Sequence, residues 1–218
     1  MSGALEVSDL RVENEAGVLL DVPELILHSG ELAVITGPTD SGKTLLASVL
    51  CGVASPSAGV IRVRQRRLTG SPSQRRRLGL AGTVADGHRI AGCTVAEALR
   101  LAGGPRRAAR ALDRLQLLAA RSSTAADHLS GGEQQLLQVA CAWVASAAVL
   151  VLDSPTTGLA TDAAEVVRRL VVDAALDGTA VLWLDPSSAP PPGTPAWSLD
   201  GGVLSSTVPA TGSWTAAP

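Results

Sequence analysis

The chain has 218 residues but no Phe and no Tyr, so Trp143, Trp183, Trp197 and Trp214 are the only aromatics able to stack on a base. Nucleic-acid surfaces interleave basic and aromatic side chains, and that pattern is missing here. Net charge is −2, which supplies no global pull towards nucleic acid or a membrane surface. Cys51, Cys93 and Cys141 are too few and too scattered for a disulfide framework or a metal cluster, and they suit a reducing cytosol. The start, Met1–Glu6, has neither the basic region nor the apolar run of a signal peptide. The uncharged stretch Gln134–Leu152 approaches the length of a membrane span. It contains Gln134, Gln135, Gln138 and Ser146 and is bounded by Glu133 and Asp153, so it reads as buried core: a helix of small residues, then the strand Ala148–Leu152. The length fits one domain with a full core.

Lysine is nearly absent too. Seventeen basic residues are Arg, and Lys43 is the one Lys. It sits in Gly37-Pro38-Thr39-Asp40-Ser41-Gly42-Lys43-Thr44, which matches G-x-x-x-x-G-K-[ST]. A single Lys meets that pattern by composition alone with a chance of about 0.002. In such a loop, backbone N–H groups cradle phosphates and the Lys reaches the outer ones. A compact ammonium on a flexible stem can fold over phosphates where a planar guanidinium fork does not fit. The context agrees: Glu31–Thr36 reads as a buried strand, and Thr44–Cys51 as a helix ending at Gly52. A helix N-terminus adds its own attraction for an anion.

Around this loop, Ala4–Val12, Val18–Asp21 and Leu25–His28 alternate like antiparallel strands, and Val60–Val63 reads as a short strand. Arg62–Arg77 holds seven Arg and reads as a solvated loop and hairpin, since no aromatic is interleaved. Thr94-Val-Ala-Glu97 is a capping box that opens a helix. Helical periodicity runs through Arg106–Ala120, with Leu112, Leu115 and Leu118 on one face. Val166–Leu176 reads as a helix, Ala180–Leu184 as a strand and Trp197–Leu204 as a closing hairpin, while Pro190-Pro191-Pro192 forbids helix. Residues 209–218 read as a disordered tail after a domain spanning 1–208.

A second motif narrows the function. Ser130-Gly131-Gly132-Glu133, about 85 residues after the loop, is a capping box whose two glycines allow close backbone approach at a helix N-terminus. That makes an anion site, plausible for a phosphate held by another subunit. Val149-Leu-Val-Leu-Asp153 is an apolar strand ending in a carboxylate, able to orient Mg²⁺ with Thr44 on the metal's other side. Leu129–Gln135, Val149–Asp153 and Pro155-Thr-Thr-Gly-Leu159 resemble the signature, Walker B and D-loop of the ATP-binding cassette (ABC) ATPases. The resemblance covers about residues 4–204. It implies an α/β P-loop NTPase core with an antiparallel β subdomain and a helical subdomain at about 90–140. It also implies ATP and Mg²⁺ as ligands, and a head-to-tail homo- or heterodimer with each ATP between one loop and the other chain's signature. A separate membrane-spanning permease is the implied partner, with no nucleic acid, and the place is the cytoplasm, peripheral on the inner face of the cell membrane.

The chain departs from the family pattern at several positions. Ser154 stands where the family has its catalytic Glu, and a serine hydroxyl is a poor base. Asp185 stands where the family has its switch His, and a carboxylate repels a γ-phosphate. The family's Q-loop Gln belongs within Thr83–Asp86, yet no Gln occurs between Arg75 and Leu115. No adenine-stacking aromatic lies near Asn14 and Glu15, Asp40 replaces the loop's middle glycine, and Ala160 replaces the D-loop's closing Asp. The proline run displaces the helix that follows the switch in the family. The phosphate grip and the signature survive. Three functions stay open: a hydrolysis-impaired transporter subunit beside a competent ATPase, an active ATPase using Asp86 or Asp185 as base, and a non-transport regulator that uses nucleotide as a ligand.

Overall fold

The computed structural model describes residues 3–85, 89–185 and 194–206. The chain opens with β1 (Leu5–Asn14), β2 (Gly17–Leu27), β3 (Leu32–Thr36) and α1 (Lys43–Cys51). It continues with β4 (Ala58–Val63), β5 (Arg66–Arg67), α2 (Pro72–Arg77), β6 (Leu80–Thr83), α3 (Val95–Gly103), α4 (Pro105–Arg114) and α5 (Gln116–Ala119). It ends with α6 (Gly131–Val144), β7 (Val149–Asp153), α7 (Thr161–Leu176), β8 (Ala180–Leu184), β9 (Ala196–Asp200) and β10 (Val203–Ser206). The ten strands form one sheet in the order β5-β4-β1-β2-β10-β9-β3-β8-β7-β6. The pairs from β9 through β3, β8 and β7 to β6 are parallel. The β1, β2, β4 and β5 part is antiparallel. This is the α/β core with an antiparallel extension that the motifs imply.

The central strands are apolar along their whole length because both faces are covered. Side chains alternate between the faces. Ala33, Ile35, Val149, Val151, Leu182 and Leu184 join the layer that packs around α1 and the antiparallel strands. Leu32, Val34, Leu150, Leu152, Val181 and Trp183 join the layer under α3–α7. Burying one such Leu contributes about 1.5–3 kcal/mol. Strand ends on this double-covered sheet are therefore held rigidly, and Thr36, Asp153 and Leu184 end three adjacent strands.

Four expectations need correcting. The strands expected at Val18–Asp21 and Leu25–His28 are one strand, β2, which runs through Pro23 and ends at Leu27, one residue before His28. Pro23 lacks an N–H for the ladder, and the pairing skips it and Asp9, which takes φ +49. The helix expected over Arg106–Ala120 breaks at Leu115, whose φ/ψ of −109°/75° buries its side chain between α4 and α5. The arginine run is not all solvated: it contains α2, and Arg75 is buried. Helix α7 begins at Thr161, five positions before Val166. Trp143 lies under the guanidinium groups of Arg110 and Arg114, each 5.8 Å from the ring, and Trp183 is buried, so neither offers a face to a base. The proline run, Trp214 and the tail lie outside the described residues. Among the described residues no helix is long and apolar enough to cross a membrane.

Candidate functional site

The phosphate loop joins β3 to α1. Gly42 takes φ +101, a conformation that favours glycine, and as N-cap it has no side chain to cover the amides of the first turn. The first N–H groups of a helix have no partner inside it. They are thus left for an outside acceptor, and the helix dipole favours an anion there. Asp40 takes φ +62. Asp is one of the few residues that tolerates this region, so it can replace a glycine without changing the loop's path. The loop is braced from behind by the last hairpin: Gly202 N–H donates to Ser41 O at 3.1 Å. A Cβ at Gly37 would stand 2.0 Å from Leu199 O, so only glycine fits there.

Lys43 is only 7% exposed. Its Nζ donates to Gly37 O at 2.7 Å, Pro38 O at 2.6 Å and Ser41 Oγ at 2.9 Å. Desolvation lowers its pKa, opposed by the charges of Asp153, Asp185 and Asp40. Thr44 follows on the first turn of α1 and is exposed.

Asp153 ends β7 and is 1% exposed. The Ala85 N–H donates to its Oδ2 at 2.9 Å, and its own N–H donates to Thr83 Oγ1 at 3.3 Å. Ala85 therefore holds this carboxylate and Thr83 the backbone that carries it, roles the sequence reading missed. No local pattern announces them, since the residues meet only when β6 pairs with β7. Ser154 takes φ +47, and its N–H donates to Leu184 O at 2.8 Å. Its Oγ lies 3.5 Å from Asp153 Oδ1, at the limit of a hydrogen bond. Asp185 follows β8 and is 4% exposed, and it accepts from Trp183 Nε1 at 3.1 Å. Asp86 lies outside the described residues.

The loop at the N-terminus of α1 fits a phosphate chain, and the exposed Thr44 hydroxyl and the buried Asp153 carboxylate are the groups that would hold Mg²⁺ beside it. Among the described residues no cluster of three or more His, Cys, Asp or Glu could hold a metal alone. Mg²⁺ does not require one, because it takes one or two carboxylates and completes its shell with water and phosphate oxygens.

The signature opens α6. Ser130 Oγ accepts from Glu133 N–H at 3.3 Å, and Ser130 N–H donates to Glu133 Oε2 at 2.9 Å, the reciprocal capping box that was expected. Ser130 and Gly131 are exposed, and nothing would meet a Cβ at Gly131. Gly132 is different: a Cβ there would sit 2.9 Å from Gly158 O of the segment after β7. Gln135 Nε2 donates to Ser154 O at 3.2 Å, so the signature helix is tied to the residue beside Asp153.

The two capping carboxylates make a pH prediction. Hydrogen bonds from the Thr94 backbone hold Glu97 below its ordinary value of 4.5, and those from the Ser130 backbone do the same for Glu133, helped by Arg121. A depressed folded pKa stabilises above the unfolded value and loses that stabilisation as pH falls through the folded one. The urea midpoint should be level from about pH 7 to 5 and fall below about 4.5. Replacing both with Gln, which still closes a capping box, should flatten the fall. An unchanged acid slope in the double variant would place its origin elsewhere.

Comparison with known proteins agrees with this geometry. The family model "ABC transporter" matches residues 20–157. The Fe(3+) ions import ATP-binding protein FbpC 1 of Rhodococcus jostii is 31% identical over 79% of this chain and 52% of its own length. The cell division ATP-binding protein FtsE of Escherichia coli is 34% identical over 72% of this chain and 75% of its own. The chain spans about half the length of FbpC 1, and 37% of the arabinose import ATP-binding protein AraG 2 of Burkholderia thailandensis. A solved ATP-binding subunit of an ABC transporter superposes with a TM-score of 0.81 at 23% identity, over 94% of this chain and 90% of that one. A dimeric ATP-binding cassette solved with ADP and Pi gives 0.79 at 18%, over 92% and 96%. The chain belongs to the ABC transporter family, as an ATP-binding domain with the family's P-loop core.

Proposed function

We propose that this chain is a nucleotide-holding subunit of an ABC membrane transporter, impaired in hydrolysis and paired with a competent ATPase subunit. The supporting observation is Ser154. It follows Asp153 directly, where a water-activating carboxylate belongs, and adjacency leaves no room for an alternative alignment. The Asp185 carboxylate is buried and already accepts from the Trp183 indole N–H.

Gly37–Thr44 would hold the phosphates, Lys43 would supply the cation, and Thr44 with Asp153 would hold Mg²⁺, which would neutralise phosphate charge. Ser130, Gly131 and Gly132 stand ready for a nucleotide on the opposing subunit. The body of the domain is residues 1–208, with a helical subdomain at about 90–140, working on the cytoplasmic face of the membrane beside a separate permease. Dimerisation has a precedent in the cassette solved as a dimer with ADP and Pi.

The purified chain should bind Mg²⁺–nucleotide and show no turnover of its own. Pull-down from the native cells should recover a second ATPase chain and a membrane protein, and the mixture should hydrolyse ATP. Ordinary turnover by the chain alone, abolished by Lys43→Ala, would overturn the impairment.

A further inference from the structure

Charge is spread unevenly along this chain. Between Asp40 and Asp86 there are eight basic residues and no acidic one, so that stretch carries +8. The rest of the chain has ten basic and twenty acidic residues and carries −10. Lys43 and Arg75 are buried, which leaves six arginines of the stretch outside the core. Four of them sit on one hairpin. Arg62 is on β4, Arg64 in the turn, and Arg66 and Arg67 on β5, the free edge at one end of the sheet. Arg62 and Arg67 are direct cross-strand neighbours, and like charges so placed are destabilising. The turn is unfavourable as well: Arg64 and Gln65 take φ +48 and +66, a region that two-residue hairpin turns normally fill with Asn and Gly. Arg64, Arg66 and Arg67 are exposed. None of the four has an ion-pair partner among the described residues, whereas Arg11, Arg110, Arg114 and Arg121 each have one. Glu6 faces Arg62 from β1, but its carboxylate accepts from the Gly3 N–H at 2.9 Å. Guarding an edge strand against pairing calls for charge on the edge, not for charge in the turn or for facing pairs of one sign.

We infer that the β4–β5 hairpin is a docking surface for an anionic lipid bilayer. This rests on the reading that the chain works on the cytoplasmic face of a membrane. The charges lie on an edge and a turn, not in a cleft. The hairpin has no aromatic to stack on a base, and its Ile61, Val63 and Leu68 are buried, not offered to a peptide. Such a surface matches a dense, shapeless layer of negative charge, which attracts each nearby Arg. The same layer repels the acidic remainder of the chain, so the contact also orients the domain with its hairpin towards the membrane.

Co-sedimentation of the full chain with vesicles tests this. At about 0.1 M NaCl it should bind phosphatidylcholine vesicles containing about 30% phosphatidylglycerol, and it should leave them at about 0.5 M. Pure phosphatidylcholine vesicles should retain little of it. The variant Arg62→Gln/Arg64→Asn/Arg66→Gln/Arg67→Gln should bind the anionic vesicles about 30-fold more weakly or worse, at about fivefold for each of two engaged arginines. It should fold, since it removes the facing charges and places Asn where the turn favours it. The wild-type dependence on salt and lipid reads the contact even if the variant folds poorly. A control, Arg106→Gln/Arg107→Gln/Arg168→Gln/Arg169→Gln, removes four exposed charges elsewhere and should stay within about threefold of wild type. Equal losses in the two variants, no preference for anionic vesicles, or tighter binding to duplex DNA at the same salt would overturn the inference. If vesicle binding fails while pull-down still recovers a membrane protein, the inference falls alone. If both fail, the transporter reading falls with it.

Discussion

Lys43→Ala should weaken Mg²⁺–nucleotide binding by about 30-fold to several thousandfold, the range that corresponds to removing one partner of a buried, hydrogen-bonded charge pair at 2–5 kcal/mol. The Nζ is the sole lysine ammonium in the chain, and every one of its three N–H groups is used inside the loop. Those acceptors, Gly37 O, Pro38 O and Ser41 Oγ, keep the ammonium folded over the loop, so a phosphate meets a cation already in position. Truncation removes the charge and leaves two loop carbonyls without their donor. Two losses therefore add: attraction for phosphate and order in the loop. Lys43→Arg should not rescue, because the guanidinium fork cannot place three donors on that small triangle of oxygens. Calorimetry with Mg²⁺–ADP checks both variants, and thermal melting checks that they fold. An affinity within threefold of wild type for Lys43→Ala would show that the loop does not grip phosphate through this residue.

What could be read from the sequence was what short-range chemistry dictates. The Gly42-Lys43 loop and the capping box at Ser130 are local hydrogen-bonding patterns, and each appears where its residues placed it. Strand β7 was legible because five buried apolar or terminal positions end in one carboxylate. Strand β6 was not, because Leu-Ala-Gly-Thr carries little β signal; it is small because Gly82 packs where a Cβ would lie 2.3 Å from Val151 O. The support of Asp153 by Thr83 and Ala85, and of the loop by Gly202, joins residues far apart in the chain. Periodicity carries no such information. The Arg run shows the same limit most sharply. Composition marks seven arginines as solvent-facing, and only tertiary contacts single out one of them.

That one is Arg75, and Arg75→Ala should cost about 3 kcal/mol and lower Tm by about 6–12 °C in a domain of this size. The side chain is 5% exposed. Its Nη1 donates to Val49 O and, at 2.9 Å, to Leu50 O, while Nε donates to Gly70 O at 3.1 Å. Val49 and Leu50 belong to the last turn of α1, whose carbonyls have no donor within the helix. Burial lowers the pKa of the guanidinium, partly opposed by Cys51, so the contacts must offset a desolvation cost. They do so with hydrogen bonds from a cation to the negative end of the helix dipole. The alanine variant takes the guanidinium donor from Leu50 O and Gly70 O, leaves Val49 O with only the Gly52 N–H at 3.2 Å, and opens a void beside Gly52, whose added Cβ would have met Arg75 Nε at 2.7 Å. Because α1 begins at Lys43, loosening its far end should also weaken nucleotide binding, by less than Lys43→Ala does. Arg77→Ala is the control: that side chain is exposed, and its loss should change stability by no more than about 0.5 kcal/mol. Calorimetric melting of both variants decides the matter. Equal, small shifts would mean that Arg75 is as dispensable as its neighbours and that the C-terminus of α1 is satisfied by water instead.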